Sequence, residues 1–212
     1  MYKTVVFDLD GTLLNTLTDL ADAGNRLCRK YGWPTHERQA YRYFVGNGIP
    51  KLVERLAPAD QRTPAVLEAA LADFKRDYGQ HLRDTTAPYP GIPEMLAKLK
   101  ANGVQLAVFS NKADALAKEV VKDYFTIVRG QMTGVAPKPA AEGTNALLQA
   151  LHADPASTLY VGDSNVDVET AHNANLPCCG AVWGFRTREE LNAAGAEYLA
   201  ENSDELYDVI MK

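Results

Sequence analysis

The sequence predicts an α/β fold, a parallel sheet with helices on both faces and an all-helical insertion after the first strand. Three observations carry this. Val5, Val6 and Phe7 form a β-branched and aromatic run that ends on Asp8, the pattern of a buried strand stopping at the mouth of a site. From Ile92 onward, short apolar runs alternate with helical periodicity, which implies parallel strands joined by crossover helices. Between about Asn15 and Ala87 the spacing is helical throughout, with no strand-like alternation of useful length.

Each element follows from its own residues. Leu17, Leu20, Ala21, Gly24, Leu27 and Cys28 recur at helical spacing, with Thr16 expected as the cap and Tyr31-Gly32-Trp33-Pro34 as the end. Thr35 is the expected cap of a short helix through Phe44. Val45-Gly46-Asn47-Gly48-Ile49-Pro50 reads as a glycine-marked turn. Leu52, Val53 and Leu56 begin another helix, and 64–82 a longer one. Pro88-Tyr89-Pro90-Gly91 is a strong breaker that suits a hinge or return linker. Beyond it, helices are expected over 92–101, 113–122, 140–151, 166–174, 188–193 and 204–211. Strands are expected over 104–109, 158–161 and 178–183, with a strand-like piece near 125–128. The strands over 104–109 and 158–161 end on Ser110-Asn111-Lys112 and Gly162-Asp163. Parallel strands align their carboxyl ends, so Asp8, Ser110 and Asp163 should converge on one crevice.

Bulk properties narrow the function classes. The chain has 212 residues, 46% hydrophobic and 23% charged, enough for one globular unit with a modest insertion and a core that needs no disulfides. A net charge of −5 without blocks of like charge argues against nucleic-acid binding and leaves the attraction of any anionic substrate to local cations. Cys28 and the adjacent Cys178-Cys179 match neither a disulfide framework nor a zinc pattern, so a reducing cytoplasm is expected. No apolar run approaches a membrane span, and Met1 leads almost directly into the first strand, so neither membrane insertion nor a signal peptide is expected.

The chemistry gathers at Asp8. A carboxylate at the end of a buried strand is costly unless it meets a cation, a donor or a site. Asp10 follows two residues later, and two acids at one strand end repel unless a cation lies between them. Gly11 and Thr12 add a turn and a hydroxyl. These residues suit a metal-assisted site for a phosphoryl group. Asp167 lies four residues after Asp163, about one helical turn, so its carboxylate can return to the same strand end.

Four short motifs occur in order: Asp8-Leu9-Asp10-Gly11-Thr12, Ser110-Asn111-Lys112, Lys138-Pro139 and Gly162-Asp163-Ser164-Asn165-Val166-Asp167. Together with the helical insertion after the first strand, they make the chain resemble the haloacid dehalogenase-like (HAD) superfamily, and within it the phosphoglycolate phosphatase-like branch. The resemblance implies a Rossmann-like parallel core over 1–14 and 88–212 and an all-helical cap domain over 15–87. It implies Asp8 as nucleophile, forming an aspartyl-phosphate, and Asp10 as general acid and then base. Mg²⁺ would be held by Asp8, Asp163 and the Asp10 carbonyl, with Asp167 supporting, either ordering metal waters or Lys138 or simply capping its helix. Ser110, the Asn111 amide and Lys138 would bind phosphate, with Ser110 also suited to a helix N-cap and Lys112 a competing cation.

In this family substrate choice comes largely from the cap, where Gly46, Asn47 and Gly48 form the candidate specificity loop or an ordinary interhelical turn. Arg38, Arg42, Lys51 and Arg55 are further cap charges, while His36, His81, His152 and His172 show no zinc-ligand spacing. Two departures stand out. Asn15-Thr16 replaces the Asp-Ser of many relatives, and Lys138-Pro139-Ala140-Ala141 lacks a second proline. The expected function is Mg²⁺-dependent hydrolysis of a small phosphorylated metabolite, best matched by 2-phosphoglycolate. A β-phosphoglucomutase-like transferase and a nucleotide or pyrophosphate phosphohydrolase are the enzymatic alternatives, and a non-enzymatic regulatory protein on the same fold is the remaining class.

Overall fold

The computed structural model describes residues 1–125 and 127–212. Strand β1 (Thr4–Phe7) leads into the two-residue strand β2 (Leu14–Asn15), and four helices follow: α1 (Leu17–Tyr31), α2 (Tyr41–Phe44), α3 (Ile49–Leu56) and α4 (Pro64–Gln80). The chain returns through β3 (Ala87–Pro88), antiparallel to β2. It then alternates through α5 (Ile92–Ala101), β4 (Gln105–Ala113), α6 (Asp114–Val121), β5 (Val128–Gln131) and α7 (Glu142–Leu151). β6 (Thr158–Gly162), α8 (Asn165–Asn173), β7 (Cys178–Ala181), α9 (Arg188–Ala193), β8 (Tyr198–Ala200) and α10 (Ser203–Met211) complete the fold.

The main sheet has the order β5-β4-β1-β6-β7-β8 and is parallel throughout. The first strand lies in the middle, with β4 on one side and β6 on the other. At such a reversal the loops leaving neighbouring strands part, and a crevice opens at their carboxyl ends. Successive side chains of β1 face opposite layers. Val5 and Phe7 join the core that holds Met95, Leu99, Leu206 and Ile210, whereas Val6 joins Leu147, Leu148, Val168 and Leu191 on the other face. In the helical insertion α4 packs on α1 and α3, burying Phe74 and Tyr78 beside Leu27, Leu52 and Leu56.

Several expectations are corrected. Thr16 does not cap α1: its hydroxyl is buried without a partner among the described residues, and the Leu17 amide donates to Asn15 Oδ1 at 3.4 Å instead. Thr35 starts no helix, because the Asn25 side chain pairs with both backbone groups of His36 at 2.9 Å and holds that segment away from helical geometry. A single 3-10 turn over Arg38–Ala40 then precedes α2. The strand-like piece near 125–128 lies further on, as β5, and Thr126 falls outside the described residues. β7 ends at Ala181, four residues before Phe185, so the segment that follows is a loop. The β2–β3 ribbon and β8 are too short to show a period, and the residue pattern did not reveal them. Cys178 and Cys179 are free, buried residues of β7, consistent with strand packing.

Candidate active site

The floor of the crevice is built by the core alone. Asp8 leaves β1 with its amide still bonded to the Val161 carbonyl at 2.8 Å, so the carboxylate starts from a rigid strand end. Lys138, in the loop between β5 and α7, places its ammonium 2.7 Å from Asp8 Oδ1 and 2.6 Å from Asp167 Oδ1. Asp167 lies in the first turn of α8, where Oδ2 accepts from the Ser164 amide at 3.1 Å and hydroxyl at 2.6 Å. The helix cap and the lysine-ordering group are therefore the same residue. Asp163, just beyond β6, accepts from the Thr12 hydroxyl at 3.1 Å and from the Phe185 amide at 2.7 Å.

The backbone comes unusually close to Asp163. A methyl group on Gly184 would stand 2.2 Å from Asp163 Cβ, and one on Gly11, whose φ is +95°, would stand 2.2 Å from Asp163 Oδ2. Both positions therefore require glycine.

Charge is unbalanced on this floor. Oxygens of Asp8, Asp163 and Asp167 lie within 4.8 Å of one another, with one ammonium, Lys138, bonded among them. Burial pushes Asp8 up to about 7; Lys138 opposes the shift and the Asp167 charge adds to it. Burial, then Asp167 and Asp8, hold Asp163 well above the usual carboxylate range. Burial alone would lower Lys138, but Asp167 and Asp8 outweigh it and keep the ammonium charged. A compact set of hard oxygen donors with surplus negative charge fits Mg²⁺ or a similar divalent cation. Both Asp167 oxygens are engaged, Oδ1 by the Lys138 ammonium and Oδ2 by Ser164, whereas only one Asp8 oxygen meets Lys138.

Ser110, Asn111 and Lys112 lie inside β4, which runs on to Ala113, and not at a helix start. Ser110 is therefore no helix N-cap: its hydroxyl accepts from the Lys112 amide at 3.2 Å. The Asn111 side chain ties two loops together. Its amide donates to the Gly46 carbonyl at 3.0 Å and the Lys138 carbonyl at 3.2 Å, and its oxygen accepts from the Lys138 amide at 2.8 Å. Lys112, the competing cation of the sequence reading, has its own acid, 2.9 Å away at Asp10 Oδ1.

The helical insertion roofs this floor. A pocket of about 30 Å³ is walled by Asp8, Asp10, Ser110, Asn111 and Lys112 below and by Leu20, Val45, Ile49 and Leu52 above, with Gly46 and Gly48 at its side. Between these glycines, Asn47 Oδ1 accepts from Arg55 at 2.9 Å. Across the gap a reciprocal arginine clasp forms. Arg42 of α2 donates to the Gly184 and Phe185 carbonyls at 2.5 and 2.9 Å, and Arg186 donates back to the Arg42 and Val45 carbonyls. The loop held by Arg42 is also the loop whose amide holds Asp163. Of the other cap charges, Lys51 pairs with Glu54, and among the histidines His81 meets Asp84 and His172 meets Glu197.

Pattern reading missed Gly184, the Phe185 amide, Arg186 and Tyr78. The glycine after a strand in Trp183-Gly184-Phe185 was an available signal for a close approach. Tyr78 looks like any core aromatic, and the arginines lie 144 residues apart.

The fold and this constellation define the class. The sequence model of the haloacid dehalogenase-like hydrolase family matches residues 5–181, and the chain belongs to that family. Phosphoglycolate phosphatases from Thiobacillus denitrificans and Chromobacterium violaceum are 31% and 32% identical to it. The first alignment covers 86% of this chain and 84% of the relative, the second 98% and 96%. A crystal structure from Lactobacillus delbrueckii subsp. bulgaricus, provisionally classed as a phosphoglycolate phosphatase, superposes with a TM-score of 0.92. It has 28% identity and covers 99% of this chain and 98% of its own. The chain is a phosphoric monoester hydrolase of the phosphoglycolate phosphatase-like branch.

Proposed function

We propose that this enzyme hydrolyses a small phosphate monoester, with 2-phosphoglycolate the best match, through a phosphoryl intermediate on Asp8 and with Mg²⁺ bound. One observation carries the reading: Asp8 shares a buried strand edge with Asp163 and Lys138, while Asp10, two residues on, faces the pocket under the helical roof. The names of the relatives support the substrate.

In the first half-reaction an Asp8 oxygen attacks phosphorus in line, and the bond to the ester oxygen breaks. Asp10 gives that oxygen its proton, so the alcohol leaves neutral. Lys138, the Ser110 hydroxyl and the Asn111 amide offset the charge on the phosphoryl oxygens. In the second half Asp10 takes a proton from water as its oxygen attacks phosphorus, releasing inorganic phosphate and free Asp8. The cation would be held by Asp8, Asp163 and the Asp10 carbonyl, and when bound it supplies charge neutralisation. Asp167 supports by aiming Lys138.

Residues 15–87 act as a cap over a core of 1–14 and 88–212, opening for substrate and closing to exclude water. Its hinges are 14–16 and 86–90, the region of the short β2–β3 ribbon. Buried free cysteines and no helix, among the described residues, long and apolar enough to cross a membrane fit a cytoplasmic enzyme.

The test is turnover by wild type and Asp8→Asn on 2-phosphoglycolate, a sugar phosphate, a nucleotide and pyrophosphate, each with Mg²⁺. The expected result is preference for 2-phosphoglycolate and no turnover by Asp8→Asn. Equal activity of the two proteins would remove Asp8 as nucleophile, and a poor rank for 2-phosphoglycolate would remove the substrate.

A further inference from the structure

Lys112 has bonds that an ordinary structural lysine does not need. Its ammonium is buried, donates to Asp10 Oδ1 at 2.9 Å and to the Tyr78 hydroxyl at 2.6 Å, and lies 4.7 Å from the centre of the Tyr78 ring. Tyr78 belongs to α4 of the cap, so this cation is fixed from both sides of the crevice. An ammonium has three N–H donors. One goes to Asp10 Oδ1 and one to Tyr78, and the third makes only the longer contact with Asp10 Oδ2, at 3.3 Å.

Among the described residues Lys112 is also the one cationic side chain that lines the pocket. The arginines nearby are spent on backbone or amide oxygens: Arg42 on Gly184 and Phe185, Arg186 on Arg42 and Val45, Arg55 on Phe44 and Asn47. The rest of the roof is apolar, through Leu20, Val45, Ile49 and Leu52. An anionic substituent on the substrate would find no counter-charge there except at Lys112.

Resting on the phosphatase reading above, we infer that Lys112 is the specificity residue that binds a carboxylate on the leaving group. The substrate class is then the phosphate ester of a short hydroxy acid. Asp10 protonates the ester oxygen in that reading, so a cation bonded to Asp10 lies on the leaving-group side of phosphorus. A carboxylate one carbon beyond the ester oxygen falls within reach of it. Long sugar chains and second phosphates have no such partner under the apolar roof.

The test compares 2-phosphoglycolate with ethyl phosphate, which replaces the carboxylate by a smaller, uncharged methyl group, in wild type and Lys112→Met. Wild type should prefer 2-phosphoglycolate in kcat/KM. The ratio of the two esters should fall on the order of 100-fold in Lys112→Met, mostly through KM, the cost of unpairing a buried charge. An unchanged ratio, with both esters losing equally, would make Lys112 a positioning residue for Asp10 and overturn the inference. A wild-type preference for ethyl phosphate would overturn it without any variant, should Lys112→Met fail to fold. Calorimetric binding in the Asp8→Asn background separates recognition from chemistry: 2-phosphoglycolate should bind more tightly than ethyl phosphate, and Lys112→Met should erase the difference. A wild type that hydrolyses no phosphate ester would reject the phosphatase reading itself, a result distinct from an unchanged ratio.

Discussion

Two buried lysines divide the site between them. Lys138 sits between Asp8 and Asp167 with Tyr160 3.3 Å away, and every partner belongs to the core. Lys112 has the same kind of company, an aspartate and a tyrosine, but its tyrosine comes from the cap. Burial alone would lower both lysines, and their acids outweigh it and keep both charged. The difference is which elements each contact joins. The Lys138 cluster joins β1, β6 and α8, whereas the Lys112–Tyr78 bond joins β4 to α4 of the helical insertion. In the proposed mechanism attack and metal chemistry fall to this floor, and leaving-group recognition to the contact with the helical roof.

Lys138→Met should produce the largest effect. It leaves Asp8 and Asp167 without their ammonium, and breaking one partner out of a buried ion pair costs about 3–5 kcal/mol. Urea unfolding should show that loss together with abolished turnover. Lys112→Met should cost less stability, because Asp10 is only partly buried. Comparable losses from the two variants would break the contrast between floor and roof.

Gly184→Ala sharpens the same contrast from the metal side. The new methyl group must displace Asp163, so Mg²⁺ affinity should weaken by roughly 10–100-fold, the usual cost of disturbing a ligand's support. Titration of activity against Mg²⁺ reads this, and an unchanged midpoint would free Asp163 from the loop.

The floor should also respond to pH. Burial raises Asp8 in the folded chain to about 7, with Lys138 opposing and Asp167 reinforcing, against roughly 4 for a free aspartate. The folded chain therefore binds the extra proton. Its contribution is complete below the unfolded value and is lost as pH rises through about 7. Metal-free protein should melt lower at pH 8 than at pH 5, and Mg²⁺ should raise the melting temperature more at pH 8. A metal effect independent of pH would contradict the charge imbalance.

Arg42→Ala should be the mildest change. It removes two bonds to neutral carbonyls at the lip of the cap, worth about 1 kcal/mol each. The expected readout is a raised KM with a melting temperature lower by about 4–8 °C. A normal KM would show that the clasp does not hold the closed state.

The floor was largely legible in the sequence because each acid follows an apolar strand at short, fixed spacing, and a parallel sheet gathers those strand ends. Asp8, Ser110 and Asp163 could be placed from this alone. Asp167 looked like either a helix cap or a supporting acid, and its two oxygens are divided between the capping box of α8 and the Lys138 ammonium. The roof was not legible. Tyr78 and Lys112 lie 34 residues apart, and nothing local in a helix marks which buried aromatic will meet a lysine. The His36 segment shows the same limit, since a side chain eleven residues upstream overrode its helical start.

The central claim is that Asp8 carries the phosphoryl group between the two half-reactions. Rapid acid quenching of the enzyme with 2-phosphoglycolate and Mg²⁺, followed by peptide mass spectrometry, tests it most directly. A phosphate found on the peptide holding Asp8, and absent from Asp8→Asn, is the result this account requires. Turnover with no trapped phosphoenzyme, or phosphate on a different residue, would contradict it.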